Sequence, residues 1–193
     1  MRDGPHRSLE ELTAGLPDIE RSPKDAGVLR LIVRRPRAGA REVVHEAQLE
    51  PAVGLVGDSW STRSGRRGKD PAPHPDTQIN IMNARAIALV ADSEDRWPLA
   101  GDQLYVDLDL SDENLPAGSQ LAIGSAIVEV TAEPHTGCRK FSDRFGVDAT
   151  KFVNSKAGKG LRLRGINARV VQSGTVRVGD VATKRQAVLR IRS

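Results

Sequence analysis

The sequence predicts a mostly β protein, a closed or nearly closed β-barrel carrying a few short peripheral α-helices. Three observations predict it. Hydrophobic residues make up 38% of the 193-residue chain while aromatics make up only 3%, so the core is built from Val, Ile, Leu and Ala, and the β-branched members of that set pack well on a pleated surface. Short apolar runs separated by glycine and other turn-forming residues recur along the chain and become dense after residue 98, a pattern that belongs to barrels. The length suits one well-buried core better than two. Residues 1–27 read as an N-terminal extension with a short helix, and residues 28–193 as a single barrel domain.

Taken in order, Leu9, Leu12 and Leu16 follow Ser8 at helical spacing, and Glu11 stands three residues after that serine. This is the pattern of a capping box opening an amphipathic helix over residues 8–19. Residues 28–33 and 42–47 read as strands separated by a turn at 35–39. His45 has polar neighbours and reads as a surface residue. A strand-like run from Val53 leads into Gly57 and Asp58, followed by a loop over 61–75 that carries Arg63, Arg66, Arg67 and Lys69. No aromatic interrupts that basic run, which argues against nucleic acid. It reads as a solvated loop or as a basic flap over an anionic ligand.

Residues 78–90 mix polar and apolar side chains, so that Asn80, Asn83 and Arg85 either project from the barrel rim toward a pocket or supply ordinary turn and edge polarity. In a pocket, the amides orient a ligand and the guanidinium fork grips phosphate or carboxylate. A short helical turn over 92–97 anchors through Trp97. Residues 103–110 alternate as a strand, and 121–131 form a strand pair broken at Gly124-Ser125. A helix capped by Ser142 or Asp143 runs to about Phe152. The basic loop 154–160 lacks the spacing of a phosphate-binding P-loop. Three β runs at 165–171, 174–180 and 187–191 finish the chain.

The net charge is mildly positive, 29 Lys and Arg against 25 Asp and Glu, for a formal +4 and a pI near 9.6. A single cysteine makes no intramolecular disulfide and by itself no tetrahedral zinc site, which fits a reducing, cytoplasmic setting. Residues 1–10 contain no apolar signal segment, and no run approaches a membrane span. A serine-nucleophile elbow is absent, and His6, His45, His74 and His135 are scattered without metal-ligand spacing. The lone thiol, Cys138, stands in Pro134-His135-Thr136-Gly137-Cys138-Arg139-Lys140-Phe141. A polar, turn-rich setting beside two cations and a helix start favours thiolate, the form that acts as nucleophile and soft ligand. The opposing reading is a buried cysteine acting as an apolar filler.

The order of segments from Gly101-Asp102-Gln103-Leu104, through the 121–130 strand pair and the cysteine stretch, to Gly165-Ile166-Asn167-Ala168-Arg169 and Gly174 to Asp180 resembles the MOSC domain, the family named after the C-terminal domain of molybdenum cofactor sulfurases. The resemblance covers roughly residues 28–191. It implies a MOSC-type β-barrel with Cys138 at the family's cysteine, beside a cleft. It further implies that the chain binds the molybdenum cofactor, a molybdopterin, or carries sulfur as a persulfide on Cys138, which is then the catalytic residue and a candidate metal ligand. Members of the family act in sulfur transfer, some alongside pyridoxal phosphate chemistry, or in molybdenum-dependent reduction of N-hydroxylated compounds. Asp102 and Gln103 fall where many members carry Glu-Asn. Asp58 follows Gly57 as in a family Gly-Asp motif, but Ser59 stands where many members have histidine, leaving His74 or His135 to supply an imidazole. The cofactor-binding candidates are thus Asp58, Asn80, Asn83, Arg85, Asp102, His135, Arg139 and Lys140. Expected partners are an anionic cofactor or a sulfur donor or acceptor protein, with no membrane and no nucleic acid. The alternative is a non-enzymatic barrel module that binds a small ligand or a protein and in which Cys138 is structural.

Overall fold

A computed structural model describes residues 6–62 and 73–185. Eight strands form the main sheet: β1 (Ala26–Arg34), β2 (Glu42–Val44), β5 (Ile79–Asn83), β6 (Leu104–Val106), β7 (Gln120–Ile123), β8 (Ala126–Val130), β9 (Ile166–Gln172) and β11 (Val181–Arg185). The long strand β1 closes the barrel because its first half pairs with β11 and its second half with β6, leaving β2 attached outside the ring. A smaller sheet of three strands joins β10 (Gly174–Arg177), β3 (Glu46–Glu50) and β4 (Gly54–Leu55).

Alternation along the strands divides two cores. Leu29 and Ile32 of β1, Ile79 and Ile81 of β5, and Leu104 and Val106 of β6 point into the barrel with Leu121, Val128 and Ala168. Their neighbours Leu31, Val33, Met82 and Tyr105 face outward into a second apolar cluster roofed by helices. A register shift between Leu29 and Leu31 lets Leu29 and Ile32 share the inner face although they are an odd number of residues apart. The helices over the second cluster are α1 (Leu9–Ala14), α2 (Leu16–Glu20), α3 (Ala84–Ala91), α4 (Arg139–Phe145) and α5 (Val147–Asn154), and α6 (Lys156–Gly160) packs on α5. The pair β5 and β6 is parallel, so the chain crosses back between them through α3 and a 3-10 helix at Glu94–Ala100.

The capping box at Ser8 and Glu11 forms as the sequence predicts. The single helix expected over 8–19 divides at Gly15, because Pro17 at the start of α2 has no N–H to continue α1. The strand expected over 42–47 breaks at His45, which is exposed, and its two halves join different sheets. The strand expected over 103–110 is only Leu104–Val106. The helix expected to start at Ser142 or Asp143 starts four residues earlier, with Cys138 as its N-cap, and is split by Gly146 at a φ of 92° into α4 and α5. The presumed loop 154–160 contains α6, capped by Ser155, whose hydroxyl accepts from the Gly158 N–H. The β run expected at 187–191 and the basic run 63–69 lie outside the described residues. Among the described residues, no helix is long and apolar enough to cross a membrane.

Tyr105, the only tyrosine, is fully buried and donates its hydroxyl to the Trp97 carbonyl at 2.8 Å. Burial pushes its phenol well above the ordinary range, and the nearby Asp102 carboxyl adds to the effect. The folded state therefore favours the neutral phenol, and this contribution is intact below about pH 10, the unfolded-state value, and is lost progressively as pH rises from there toward the higher folded-state value. In an alkaline spectrophotometric titration, tyrosinate absorbance is expected to appear only together with unfolding read by circular dichroism. Ionisation well before unfolding is the contrary result.

Candidate functional site

The site begins one residue past the end of β1. Arg35 is buried and holds Asp58 in a two-point ion pair, with Nε to Oδ2 at 2.8 Å and Nη2 to Oδ1 at 3.0 Å. Its remaining nitrogen, Nη1, donates to Asn80 Oδ1 at 3.0 Å and to the Gly101 carbonyl at 2.8 Å. Asp58 also accepts the backbone N–H groups of Arg35 and Trp60. Such saturation is what lets a charge pair stay dry. Asn80 passes the network on, donating to Asn167 Oδ1 at 2.6 Å, and Asn167 donates to the Glu133 carbonyl at 3.0 Å. Gln103 accepts the Asn80 N–H and donates to the Gln78 carbonyl.

Asp102 follows Gly101, whose φ of 89° makes the turn that a residue with a side chain resists. The Asp102 side chain is fully buried, and its Oδ2 accepts from Arg164 Nη1 at 2.7 Å. Arg164 also donates to the Ala100 carbonyl and lies over the Phe141 ring, 5.0 Å from its centroid. The other oxygen, Oδ1, is 3.5 Å from His135 Nδ1. Burial raises the Asp102 carboxyl above the usual carboxylate range, against the opposing pull of Arg164 and Arg35.

His135 and Arg164 both line a cavity of about 390 Å³, whose walls are the 131–136 segment and residues around 158–167. Lys159, Arg162 and Asn167 face it, with Glu133 as the acid on its wall. Arg162 is paired with Asp112, whereas Lys159 has no ion-pair partner among the described residues.

Cys138 lies two residues beyond the cavity-lining Thr136 and is exposed, which is at odds with a packed filler. Its carbonyl accepts the Phe141 and Ser142 N–H groups that start α4. The chain just before it is held by Asn154 at the end of α5, whose side chain accepts the Gly137 N–H at 2.9 Å and donates to the Gly137 carbonyl at 3.0 Å. A Cβ on Gly137 would meet Val153 Cγ2 at 2.9 Å, so a larger residue here would have to displace the Val153 side chain.

The structure thus brings Asp102 and His135 together at one cleft, with Asp58 and Asn80 bracing its wall, while Cys138 stands outside the residues that line it. Arg139 and Lys140 are exposed on the first turn of α4. Asn83 and Arg85 are not brought to the cavity. Asn83 sits at the far end of β5 from Asn80, caps α3, and donates to Ser22 and the Leu108 carbonyl. Arg85 pairs with Asp107, Nε to Oδ1 at 2.6 Å, and reaches the Asp18 carbonyl. Both side chains are taken up in holding α2, α3 and β6 together. His74 is exposed and caps the short 3-10 helix at Pro75–Thr77. Arg35, Asn154, Lys159, Arg162, Arg164 and Asn167 are the members that sequence reasoning missed. Only Asn167 carries a visible sign, an amide between the apolar residues Ile166 and Ala168 of a strand run. No group of three or more His, Cys, Asp or Glu among the described residues has the arrangement to hold a metal ion.

A family model of the MOSC domain matches residues 72–183. Among solved structures, the YuaD protein from Bacillus subtilis is similar with a TM-score of 0.62 at 16% identity, covering 83% of this chain and 97% of that one. YiiM from Escherichia coli has a TM-score of 0.53 at 19% identity, covering 83% and 71%. YiiM from Geobacillus stearothermophilus has a TM-score of 0.51 at 14% identity, covering 86% and 77%. At these identities the likeness is one of fold. A search of curated proteins finds no match.

Replacing Asp58 with Ala leaves the Arg35 guanidinium buried without a counter-charge and is expected to cost about 3–5 kcal/mol in urea unfolding, whereas the joint change Arg35→Met with Asp58→Leu costs less. Equal losses would show that the pair is not what holds this wall. Asn154→Ala removes both bonds to Gly137, and hydrogen exchange at the Gly137 amide is expected to accelerate by about tenfold, equivalent to ~1.4 kcal/mol, with the barrel amides unchanged.

Proposed function

Because the chain belongs to the MOSC domain family, we propose that it binds an anionic, molybdopterin-type cofactor in the cavity between the 131–136 segment and residues 158–167, with Cys138 as the sulfur beside it. The observation that carries this reading is the side-chain chemistry of the cavity wall: Lys159, Arg162, Arg164, His135 and Asn167 line one volume of about 390 Å³. That volume falls in the range of small-molecule sites, roughly 300–1,000 Å³. The donor set fits the group. Lys159 offers an ammonium for a phosphate, Arg162 and Asn167 offer N–H groups for carbonyl and ring-nitrogen edges, and Arg164, paired with Asp102, holds the inner wall in place. When bound, the cofactor supplies the metal and dithiolene chemistry. This chain's own residues orient it, exclude water from its inner face and present a thiolate, a ligand type that suits soft metals.

A second reading is favoured by one observation, the exposure of Cys138. A thiol within reach of another protein can carry sulfur. In that transfer the Cys138 thiolate attacks the terminal sulfur of a donor persulfide, the new S–S bond forms on Cys138, and the donor leaves as a thiolate.

Protein purified from its native host is expected to carry molybdenum with one organic phosphate per metal, or a mass increment of one sulfur atom on the peptide containing Cys138. The two results separate the readings. Cys138→Ala is expected to abolish the sulfur increment and to reduce bound molybdenum, while a Lys159→Ala variant reduces bound cofactor alone. Fully folded native protein with neither molybdenum nor labile sulfur, and no change in either on Cys138→Ala, would falsify the proposal.

A further inference from the structure

We infer that the exposed faces of α4 and α6 form a docking surface for an acidic patch of another protein, one that presents Asp and Glu side chains. Arg139, Lys140 and Lys156, which carry this surface, lie outside the cavity lining, so it is additional to the cofactor reading.

The charge of the chain is concentrated in one segment. Residues 139–164 carry eight Lys and Arg against two Asp, whereas the rest of the sequence carries 21 Lys and Arg against 23 Asp and Glu. The positive net charge of the protein is therefore a property of α4, α5, α6 and the turn that follows them. Of the two acids in the segment, Asp148 is engaged by Lys151 and by the Leu9 N–H. Asp143, on α4, is the other. Arg139, Lys140, Lys156 and Lys159 are exposed and have no ion-pair partner among the described residues.

Two hydrogen bonds gather these cations. Asn154 both accepts from and donates to the Gly137 backbone, so the start of α4, two residues after Gly137, is held near the start of α6, two residues after Asn154. Arg139 and Lys140 open the first helix and Lys156 opens the second, and neither first turn holds an acid. This reverses the usual arrangement, in which carboxylates occupy the first turn, and it leaves the mutual repulsion of the cations unrelieved within the chain. Carboxylates on a docked partner relieve it. Lys159 follows one turn along α6 and lines the cavity, so the surface borders the cavity.

The aromatic residues decide which polyanion fits. Trp60, Trp97, Tyr105, Phe141, Phe145 and Phe152 are all the aromatics of the chain, and all are buried. No ring is left as a platform on which bases stack. Neither α4 nor α6 exposes a large apolar side chain that would enter a lipid surface. A row of carboxylates needs neither feature.

The experiment is a titration of a fluorescent peptide of about ten glutamates at about 150 mM salt, where exposed charges more than roughly 8 Å apart are screened. It compares wild-type protein with the joint variant Arg139→Glu, Lys140→Glu, Lys156→Glu and with a control, Lys24→Glu, Arg30→Glu, Arg37→Glu, which makes the same change of net charge at exposed positions elsewhere. The first variant is expected to lose about tenfold or more in affinity and the control less than about threefold. Carbodiimide, which joins a carboxylate to an adjacent amine as an amide, is expected to link the peptide to Lys140 and Lys156 of wild-type protein ahead of Lys24, as read by mass spectrometry. Should the first variant fold poorly, that cross-linking decides alone. Absence of peptide binding, equal losses in the two variants, links spread evenly over the surface lysines, or tighter binding of a single-stranded oligonucleotide, a DNA duplex or phosphatidylserine vesicles overturns the inference. None of these measurements needs a bound cofactor, so their outcome is independent of whether molybdenum or labile sulfur is found on native protein.

Discussion

A single buried guanidinium organises this molecule. Arg35, just past the strand that closes the barrel, draws together the Asp58 loop, Asn80 on β5 and the turn at Gly101. Its placement has two consequences for the cleft. Through Gly101 it holds the turn that delivers Asp102 to Arg164 and to the face of His135. Through Asn80 and Asn167 it reaches the Glu133 carbonyl and so the segment that forms the opposite wall. Hydrogen bonds in a dry interior reinforce one another and leave little freedom for any one member to move alone. The walls of the cavity are, in this sense, one polar structure with an arginine at its centre.

The scarce aromatic residues are placed unevenly. All three phenylalanines, Phe141, Phe145 and Phe152, lie in the cluster between helices and barrel, together with Trp97 and Tyr105, while the barrel interior is aliphatic. The helical hairpin of α4 and α5 is thus anchored by the largest side chains available. Phe141 and Phe145 pack ring to ring with centroids 4.9 Å apart, and each also receives an arginine, Arg164 and Arg96 respectively. Cys138 caps the first of these helices, and Asn154 ends the second. The cysteine is exposed, but the chain on either side of it is held.

Much of the barrel is legible in the residues. The run from Leu121 to Val130 alternates cleanly around Gly124-Ser125 and folds as the expected strand pair, with Gly124 at positive φ. Strand β11 escapes such reading because Val181-Ala182-Thr183-Lys184-Arg185 offers only one buried side chain, Ala182, and is made a strand by partners on both sides. Tertiary pairing overrides weak local preference there. The site divides in the same way. Cys138 and Asp102 are visible because their neighbours in sequence resemble a family. Arg164 and Asn154 matter through residues 62 and 17 positions away, and no local pattern records that. Asn83 and Arg85 look like pocket residues for a converse reason: polar side chains that end a strand and start a helix have the same composition as those that grip an anion.

Ring closure between residues 26–28 and 181–183 bears on how this chain is made as well as on what it is. The two strands that complete the barrel are separated by nearly the whole described sequence, so the seam forms only after residue 183 has emerged from the ribosome. Until then β1 and β7 each keep an unpaired edge, and such edges invite pairing with other chains. Contacts this distant in sequence also slow folding. Synthesis therefore includes an interval in which the barrel is still an open sheet, and that interval lasts until β11 arrives.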